Sequence, residues 1–450
     1  MVKFFYMERT LIGDLSQKIG EEVVIKGWVD IRRDHGKLIF IDLRDRSGQV
    51  QMVVLPNHAE AHTLGQTLRP EWVVEITGLV NKRPEKMVNT EVKNGDLEIE
   101  VTAITVLSQA QELPFEKEAD VNLDTLLDYR PLTLRAERGR HIFAVQATIV
   151  QAFRQALVNR DFTEFQAPAI VGGDAEGGSA VFKIDYFYDQ TAYLATSPQL
   201  YKEIMVGPFE RAFTIAKIFR AEKSTTTRHL AEIMQMDFEM GFINDHRDVM
   251  AVLEEVIRET VEAVTTKYPE AFSFFDTPLP ALPAGAFPVF TLAEALEIVE
   301  REFKVKAIGE QDMAPEHERL ICEWTLKEHG SDFVFITHYP TAVRAFYTYE
   351  EPSEKPLSRS FDLLFRGLEI NSGSQRIHNY EDMVERIKDR GLDPEKFSFY
   401  LQAFKYGLPP HGGCSTGLER ITARMLNLPN VKEASAFPRD LNRIDTLLSK

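Results

Sequence analysis

The chain has 450 residues, 44% of them hydrophobic and 27% charged, which is typical of a globular protein of two or three domains. No apolar run is long enough for a membrane span or a signal-peptide core, so we predict a cytoplasmic protein that binds no membrane. The net charge of −17 argues against a binder that relies on a general excess of cations, but it allows local basic patches. Its two cysteines, Cys322 and Cys414, lie too far apart to indicate a disulfide framework or a zinc motif.

Residues 1–108 have the pattern of a small β-barrel. Five short β-rich runs are bounded by turn residues, and one helical segment lies near 59–68; the runs cover 23–29, 38–43, 50–55, 72–80 and 97–106. Five strands and one helix predict an OB-fold barrel, a fold that often presents one face to single-stranded nucleic acid.

The first hairpins of this barrel are basic around Phe40, with cations at Arg32, Arg33, Lys37, Arg44 and Arg46. Two interpretations are open. Either Phe40 stacks on an unpaired base, or the cations form a solvated rim around a phenylalanine of the core.

We predict a linker over 109–134, because the stretch contains Pro114 and Pro131 and lacks a clear period. The second domain, 135–450, begins with a long amphipathic helix and a strand that runs into Pro168. The glycine-rich stretch 172–179 then indicates a loop, either a lid over a ligand or plain surface.

A long β-hairpin is predicted over 211–242. Apolar and polar residues alternate along its second strand, with Met234, Met236, Phe238, Met240 and Phe242 on one face and Gln235, Asp237 and Glu239 on the other. The polar loop between the strands carries several cations. Arg220 emerges from the first strand, and an arginine held rigidly on a strand suits a phosphate group. An ordinary solvated loop is the alternative.

Three further segments carry candidate ligand-binding residues. Ser197 and Pro198 fit the start of a helix, on which Gln199 and Lys202 share a face. A hairpin turn within 361–378 would bring two carboxylates, Asp362 and Glu369, to one face, and such oxygens suit Mg²⁺ carried by a nucleotide. The glycine-rich stretch 406–421 leads into a helix with Arg420, and this arrangement suits a phosphate or a flat ring.

In their order, spacing and residues, these segments resemble the class II aminoacyl-tRNA synthetases of the aspartyl, asparaginyl and lysyl subgroup, most closely the aspartyl enzymes of archaeal and eukaryotic type. The resemblance covers nearly the whole chain. It implies an α+β protein with a five-stranded OB-fold anticodon-binding domain and a class II catalytic domain, built on an antiparallel β-sheet flanked by helices. It also implies a homodimer formed through the helix before Pro168 and through Pro168 itself.

The resemblance further implies an ATP-dependent ligase that activates L-aspartate and transfers it to the 3′ end of tRNA. Arg220 and Arg420 would be the catalytic arginines, acting on the α- and γ-phosphates. The rest of the ATP site would be Glu222, Arg228, His229, Leu230 and Glu369, and Mg²⁺ would be held by Asp362, Glu369 and Ser372. The aspartate site would be Glu176, Ser179, Gln199, Lys202, Arg220, Asp237, Ser372 and Arg376.

Specificity follows from the same resemblance. Lys202 beside Arg376 favours aspartate over asparagine, since a neutral amide would leave a buried lysine uncompensated. In the barrel, the residues that match anticodon-gripping positions are Arg33, His35, Phe40 and Gln51. A histidine at position 35 resembles enzymes that also charge tRNA-Asn. The alternatives are an asparaginyl-tRNA synthetase and a non-catalytic, RNA-binding synthetase paralogue.

Two positions depart from the family's pattern. Residues 414–417 read Cys-Ser-Thr-Gly where the family usually has Gly-Leu-Gly, so close approach of the backbone at Ser415 is in doubt. Ile233 stands where several relatives have an aromatic residue against adenine. Both departures predict an altered affinity for ATP.

Overall fold

A computed structural model describes residues 8–90, 92–173, 180–223 and 226–448. The chain divides into two compact units, residues 1–116 and 117–450. Within the described ranges, no helix is both long and apolar enough to cross a membrane.

The first unit is a closed five-stranded barrel, as predicted. Its strands pair in the order β1-β2-β3-β5-β4, and they are β1 (Glu22–Asp34), β2 (Ile39–Asp45), β3 (Gly48–Val54), β4 (Val73–Lys82) and β5 (Leu97–Ser108). A short helix, α1 (Ala59–Gly65), lies between β3 and β4 in the chain. Alternate residues of β1 and β4 point into the barrel, which is filled by branched aliphatic side chains such as Ile25, Ile41 and Ile76.

One of the predicted rim cations belongs to the interior instead. The side chain of Arg44 is only 8% exposed, and its guanidinium pairs with Asp30 and Glu71. A guanidinium that is removed from water needs such partners, because an unpaired buried charge is strongly unfavourable. Arg44 therefore stabilises the barrel and is not part of the basic rim.

The second unit is built on an eight-stranded, mostly antiparallel sheet in the order β12-β13-β14-β15-β16-β11-β10-β6. Its strands are β6 (Thr163–Glu164), β10 (Arg211–Phe219), β11 (Glu232–Gly241), β12 (Val289–Thr291), β13 (Phe333–Thr337), β14 (Ser360–Phe365), β15 (Leu368–Gln375) and β16 (His411–Gly417). A separate three-stranded sheet contains β7 (Ile170–Val171), β8 (Lys183–Tyr186) and β9 (Gln190–Leu194).

The helices of the second unit flank this sheet. They are α2 (Leu123–Asp128), α3 (Arg130–Thr133), α4 (Glu137–Val158), α5 (Gln199–Phe209), α6 (His246–Lys267), α7 (Pro269–Phe274), α8 (Leu292–Phe303), α9 (Pro315–His329), α10 (Tyr380–Asp389), α11 (Ser398–Lys405) and α12 (Leu418–Met425). The long helices α4 and α6 pack against each other over the main apolar core, which contains Phe153, Phe213 and Phe238. This arrangement, together with the barrel, confirms the predicted fold class.

The predicted linker is partly helical, since α2 and α3 lie within 109–134. Arg130 is 5% exposed and donates hydrogen bonds to the carbonyls of Glu433, Ser435 and Ala436. Residues 123–133 are therefore bound to the C-terminal part of the second unit. A sequence period could not indicate this, because both helices are shorter than two turns.

The predicted hairpin is formed by β10 and β11, and Thr214 pairs with Asp237 in its register. Met236 and Phe238 point into the main core, as the alternation requires. The polar face is not solvated, however, since Asp237 and Glu239 are fully buried. The cause is topological: β11 lies between β10 and β16 inside the sheet, and α5 covers its second face.

The core predicts a large effect of truncating Phe153, which is 0% exposed on α4. Phe153→Ala should lower the free energy of unfolding by about 3–5 kcal/mol, because it removes buried apolar surface and leaves a cavity. Val158→Ala, at an exposed site at the end of the same helix, should change it by less than about 0.5 kcal/mol. Urea-induced unfolding of both variants measures the difference, and similar costs would contradict this account of the core.

Candidate active site

A cavity of about 310 Å³ opens on the sheet face opposite the main core. It is bounded by β11, β15 and β16, by the starts of α5 and α12, by the loop between β10 and β11, and by the loop before β14. Nine of the residues predicted for ATP or aspartate binding line it: Gln199, Arg220, Arg228, His229, Leu230, Glu369, Ser372, Arg376 and Arg420. Segments that are far apart in the chain thus meet in one pocket.

Three arginines lie on one side of the cavity and differ in how they are held. Arg420 donates from Nη1 to the carbonyl of Glu369 at 3.0 Å and lies 3.4 Å from its carboxylate. Arg228 is held by two acceptors of the protein. The guanidinium of Arg220 is half-buried, lines the cavity, and makes no hydrogen bond or ion pair with the described part of the chain.

His229 lies among these arginines. Burial lowers the pKa of His229 below its usual value, Glu222 at 3.9 Å opposes the shift, and Arg420, Arg220 and Arg228 add to it. Three arginines close enough to affect His229 form a group of cations that suits a polyphosphate. Glu222 is exposed and does not line the cavity.

A cluster of buried charges, which we call the floor cluster, lies beneath the amino-acid end of the cavity. It consists of Lys202, Asp237, Glu239 and Arg376. The fully buried Lys202 Nζ lies 3.1 Å from Asp237 Oδ2 and 3.5 Å from Glu239 Oε2. Arg376 donates from Nε to Glu239 Oε1 at 2.9 Å. Although burial raises the pKa of Glu239, Arg376 and Lys202 outweigh it and hold that pKa below its usual value.

The predicted reason for aspartate selectivity is wrong in this structure. Lys202 does not depend on the substrate for compensation, because Asp237 and Glu239 already balance it and Arg376. Lys202 is also absent from the cavity wall, whereas Arg376 and Gln199 line it. Selectivity must therefore depend on the hydrogen-bond donors that face the cavity, and not on an unpaired lysine.

The donors at this end are oriented by the protein. Of the five N–H groups of Arg376, Nε–H goes to Glu239, one on Nη1 goes to Ser374 Oγ at 2.5 Å, and those on Nη2 are shared by Gln199, Glu239 and Gly413. One Nη1 hydrogen remains for a ligand. Gln199 donates from Nε2 to Glu203 Oε1 at 2.6 Å, which turns its Oε1 towards Arg376.

Sequence reasoning missed the group that holds Gln199. Glu203 is fully buried on α5, accepts from Tyr400 Oη at 2.7 Å and lies 3.1 Å from His411 Nε2. His411 Nδ1 is 2.9 Å from the carbonyl of Pro409, which can only accept, so Nδ1 carries a hydrogen.

Glu239 was also missed, although a signal was available. It follows Asp237 by two residues on β11 and so shares its face. The alternation had assigned both side chains to a polar face, and a charged residue on a central strand is a candidate for a buried ion pair.

The hairpin of β14 and β15 has the predicted register at its turn. Arg366 and Gly367 adopt φ values of 47° and 78°, and Leu364 pairs with Glu369. A bulge follows, so that Asp362 faces Ser372 directly.

Asp362 is already occupied by a cation that sequence reasoning missed. Arg344, from the loop before β14, binds both oxygens of Asp362 at 2.7 and 3.1 Å and donates to Ser372 Oγ at 3.3 Å. No motif in that loop indicated an arginine at this place.

The residues present fit a magnesium ion at Glu369 better than at Asp362. Burial raises the pKa of Glu369, Arg420 opposes the shift, and Asp362 adds to it. The Glu369 carboxylate and Ser372 Oγ both lie on the cavity wall, and oxygen ligands of this kind suit a divalent cation. Asp362 would join them only by sharing its oxygens with Arg344. Among the described residues, no group of three or more His, Cys, Asp and Glu side chains is placed to hold a metal.

The unusual residues of β16 fit the cavity wall. Ser415 Oγ donates to Asp237 Oδ1 at 2.7 Å, and Thr416 Oγ1 accepts from Asn371 at 2.7 Å. Gly413, in the same strand, packs closely against β11, since an added Cβ would lie 2.1 Å from the carbonyl oxygen of Phe238. Ile233, which stands where several relatives have an aromatic residue, lies on the cavity wall as expected.

Glu419, the second residue of α12, is a further buried acid at the cavity. It is 6% exposed, and its two oxygens accept from the Met234 N–H at 3.2 Å each. Burial raises the pKa of Glu419 to about 7. The residue is therefore poised between its protonated and ionised forms near neutral pH.

The barrel brings its predicted residues together on one face. Arg33 pairs with Phe40 in the register of β1 and β2, and the ring of His35 lies edge-on to Phe40 at 5.7 Å. Arg33 Nη2 lies 3.5 Å from Gln51 Oε1. A half-buried ring beside a cation and an amide is suited to stacking and to reading one base edge.

Two carboxylates on this face were missed. Arg33 donates to both oxygens of Asp42 at 2.8 and 2.9 Å, and Gln51 Nε2 donates to Glu98 at 2.7 Å. They hold the two polar side chains in place, and they also reduce the positive charge of the face. Two other predicted residues, Glu176 and Ser179, lie outside the described residues.

Comparison with known proteins agrees with the fold and the site. A model of the class II tRNA synthetases (D, K and N) matches residues 122–441, and a model of the OB-fold nucleic acid binding domain matches residues 23–107. The chain therefore belongs to the class II aminoacyl-tRNA synthetases of this group.

Within that class, the chain belongs to the aspartate–tRNA ligase family. It is 45% identical to an aspartate–tRNA(Asp/Asn) ligase of Thermus thermophilus, over 97% of this chain and 99% of the relative. It is 38% identical to an aspartate–tRNA(Asp) ligase of Pyrococcus furiosus, over 94% of this chain and 96% of that protein.

Solved structures resemble the whole chain without separating aspartyl from asparaginyl enzymes. An asparaginyl-tRNA synthetase of Pyrococcus horikoshii, in complex with asparaginyl-adenylate, matches with a TM-score of 0.89 and 31% identity, over 97% of this chain and 99% of the other. A putative aspartyl-tRNA synthetase of Leishmania major matches with the same TM-score and 29% identity, over 98% and 96%. Backbone shape alone therefore does not identify the amino acid.

The floor cluster predicts that Lys202 is needed for stability. Lys202→Met leaves Asp237 and Glu239 with Arg376 alone, and should cost about 3–5 kcal/mol in the free energy of unfolding, as removing one partner of a buried ion pair does. Lys217 forms a 2.6 Å ion pair with Glu232, but its side chain is 54% exposed. Lys217→Met should therefore cost less than about 1 kcal/mol. Urea-induced unfolding compares the two, and equal small losses would contradict the cluster.

Glu419 predicts a pH dependence of stability. Because its pKa rises from 4.5 to about 7 on folding, its contribution is fully present below pH 4.5 and is lost as pH rises through 7. Glu419→Gln keeps the acceptor for Met234 and removes the titration. Relative to wild type, the variant should therefore gain on the order of 3 kcal/mol in unfolding free energy between pH 4.5 and 8. Exposed Glu385→Gln is the control; parallel profiles for wild type and Glu419→Gln would contradict the assignment.

Proposed function

We propose that the chain activates L-aspartate with ATP and transfers the aspartyl group to the 3′ end of tRNA. The observation that carries the proposal is the cavity itself: Arg220, Arg228 and Arg420 line one end of it, and Gln199 and Arg376 line the other. The aspartate–tRNA ligases among its relatives support the choice of amino acid.

In the first step, an oxygen of the aspartate α-carboxylate attacks the α-phosphorus of ATP. The bond from the α-phosphorus to the bridging oxygen breaks, and pyrophosphate leaves with the electron pair. Arg220 donates to the α-phosphate and the attacking carboxylate, and Arg420 and Arg228 hold the departing phosphates. Bound Mg²⁺ would neutralise phosphate charge at Glu369 and Ser372. Positioning and charge stabilisation then account for the rate.

In the second step, the hydroxyl oxygen of the terminal ribose of tRNA attacks the carbonyl carbon of aspartyl-adenylate. The bond between that carbon and the phosphate oxygen breaks, AMP leaves, and the hydroxyl proton is lost to the leaving phosphate or to water. The floor cluster keeps Gln199 and Arg376 in place during both steps.

Selectivity for aspartate would arise from donors that are already oriented. The remaining Nη1 hydrogen of Arg376 suits an oxygen of the substrate's side-chain carboxylate. Asparagine would form a weaker hydrogen bond there, because its amide carries no charge. It would not leave a buried ion unpaired, because the charges of the floor cluster already balance one another. We therefore expect asparagine to be activated with a lower kcat/KM than aspartate, and not to be excluded completely. An asparaginyl enzyme is the second candidate, favoured only by the likeness of the backbone to the Pyrococcus horikoshii structure.

The barrel would read the anticodon through Arg33, His35, Phe40 and Gln51. Two of the relatives described above differ in their named substrate, tRNA(Asp/Asn) for the Thermus thermophilus protein and tRNA(Asp) for that of Pyrococcus furiosus. The higher identity to the former, with His35 beside Phe40, favours a chain that also charges tRNA-Asn.

We further propose a homodimer formed through α4 and Pro168. Pro168 is exposed between β6 and β7, and Ile170, the first residue of β7, is 50% exposed. An exposed apolar residue beside a proline on a sheet edge is suited to an interface between copies.

The decisive experiment is amino-acid-dependent pyrophosphate exchange, followed by charging of purified tRNA-Asp and tRNA-Asn side by side. We expect exchange with aspartate at a kcat/KM at least about a hundredfold above that with asparagine, and aspartyl transfer to both tRNAs.

The other outcomes separate the alternatives. Exchange with asparagine alone would identify an asparaginyl enzyme. Binding of tRNA without exchange for any amino acid would identify a non-catalytic paralogue. Transfer to tRNA-Asp only would remove the second tRNA from the proposal and leave the ligase activity.

A further inference from the structure

Arg228, at the phosphate end of the cavity, is held by two acceptors of the protein. Its Nη1 donates to Glu318 Oε2 at 3.0 Å, and its Nη2 donates to the carbonyl of Gly367 at 3.1 Å. The two contacts fix the guanidinium from two sides, while Arg228 still lines the cavity. Of its five N–H groups, three remain for an anion.

Glu318 belongs to α9, which nothing so far connects with the site. It is 7% exposed and does not line the cavity. The oxygen that binds Arg228 also accepts from the backbone N–H of Glu369 at 3.0 Å. One carboxylate oxygen thus joins the arginine of the β10–β11 loop to the strand that carries Glu369.

We propose that Glu318 is a positioning residue for the polyphosphate of ATP: it touches no substrate, and it presents Arg228 to the phosphates in a fixed orientation. The inference rests on the proposed function only in taking the anion to be ATP. The physical reason is entropic. A long arginine side chain on a loop loses conformational freedom when it binds, and a protein partner that has already ordered it removes that cost from binding.

The contrast with the other arginines supports this role. Arg220 lies directly after β10, so its backbone is held by the hydrogen bond from its N–H to the carbonyl of Ala231. Arg420 lies on a helix. Arg228 lies on neither a strand nor a helix but in the loop between β10 and β11, where its backbone N–H donates only locally, to Thr226 Oγ1 at 3.2 Å. Glu318 and Gly367 hold its guanidinium from outside that loop.

The same contact could act in the opposite sense, with the negative charge of Glu318 competing with phosphate for Arg228. The geometry favours positioning. Only one of the two Nη1 hydrogens goes to Glu318 and the remaining donors are free, so Arg228 can bind phosphate without leaving Glu318. The two senses predict opposite changes in ATP affinity.

A double-mutant cycle tests the proposal by calorimetric titration of ATP with Mg²⁺ into the full chain. Glu318→Gln keeps an acceptor for the Glu369 N–H and removes the charge-assisted bond to Arg228. We expect it to weaken the Kd for ATP about tenfold. In an Arg228→Met background the same change should weaken it less than about twofold, since the two residues act as one unit.

Two further variants control the result. Glu323→Gln lies one turn further along α9 in an exposed pair with Arg319, and should leave the Kd unchanged. Glu318→Asp keeps the charge but withdraws it from Arg228, and should weaken the Kd as Glu318→Gln does. Melting temperatures verify that each variant is folded. Pyrophosphate exchange adds a second readout, in which the KM for ATP should rise about tenfold and the KM for aspartate should stay within about twofold.

Three results would overturn the proposal. They are tighter binding of ATP by Glu318→Gln, equal effects of that change with and without Arg228, and no binding of ATP by the wild type. If the wild type binds ATP but exchanges no pyrophosphate, the proposed ligase activity fails and the cycle on the Kd still decides the role of Glu318.

Discussion

The functional half of this protein depends on a balanced set of buried charges beneath the cavity. Lys202, Asp237, Glu239 and Arg376 are each at most 4% exposed, and such groups are stable in the interior only when every charge has a partner. This requirement ties α5, β11 and the residues after β15 to one geometry. The same geometry orients Gln199 and Arg376, so the contacts that stabilise the fold here also prepare the binding of the amino acid.

The cluster changes how selectivity is understood. A lysine compensated by the protein cannot distinguish aspartate from asparagine by its own need for a counter-charge. Discrimination falls to the few donors that face the cavity, and those are held by Glu203 and Glu239 from behind. This agrees with the equal backbone similarity of the chain to asparaginyl and aspartyl enzymes, because the difference lies in side chains that leave the sheet unaltered.

The phosphate end is organised differently. Its arginines are held less completely than Arg376: Arg220 has no side-chain partner among the described residues, Arg420 contacts Glu369, and Arg228 contacts Glu318 and Gly367. A pocket with excess positive charge costs stability when it is empty and binds a polyanion strongly, because the ligand supplies the missing charge. At the amino-acid end the buried charges are balanced within the protein, whereas at the phosphate end the ligand supplies part of the negative charge.

The sequence by itself determined the class of fold, the alternation of β11, the turn before Glu369 and nine of the residues that line the cavity. These depend on local periodicity, on turn chemistry and on motifs of fixed spacing. Only the tertiary structure decided that the polar face of β11 is buried, that Arg344 occupies Asp362 and that Glu318 holds Arg228. Each of these contacts joins segments distant in sequence, and the partner of a buried charge follows from how the strands and helices pack in space, which no local pattern records.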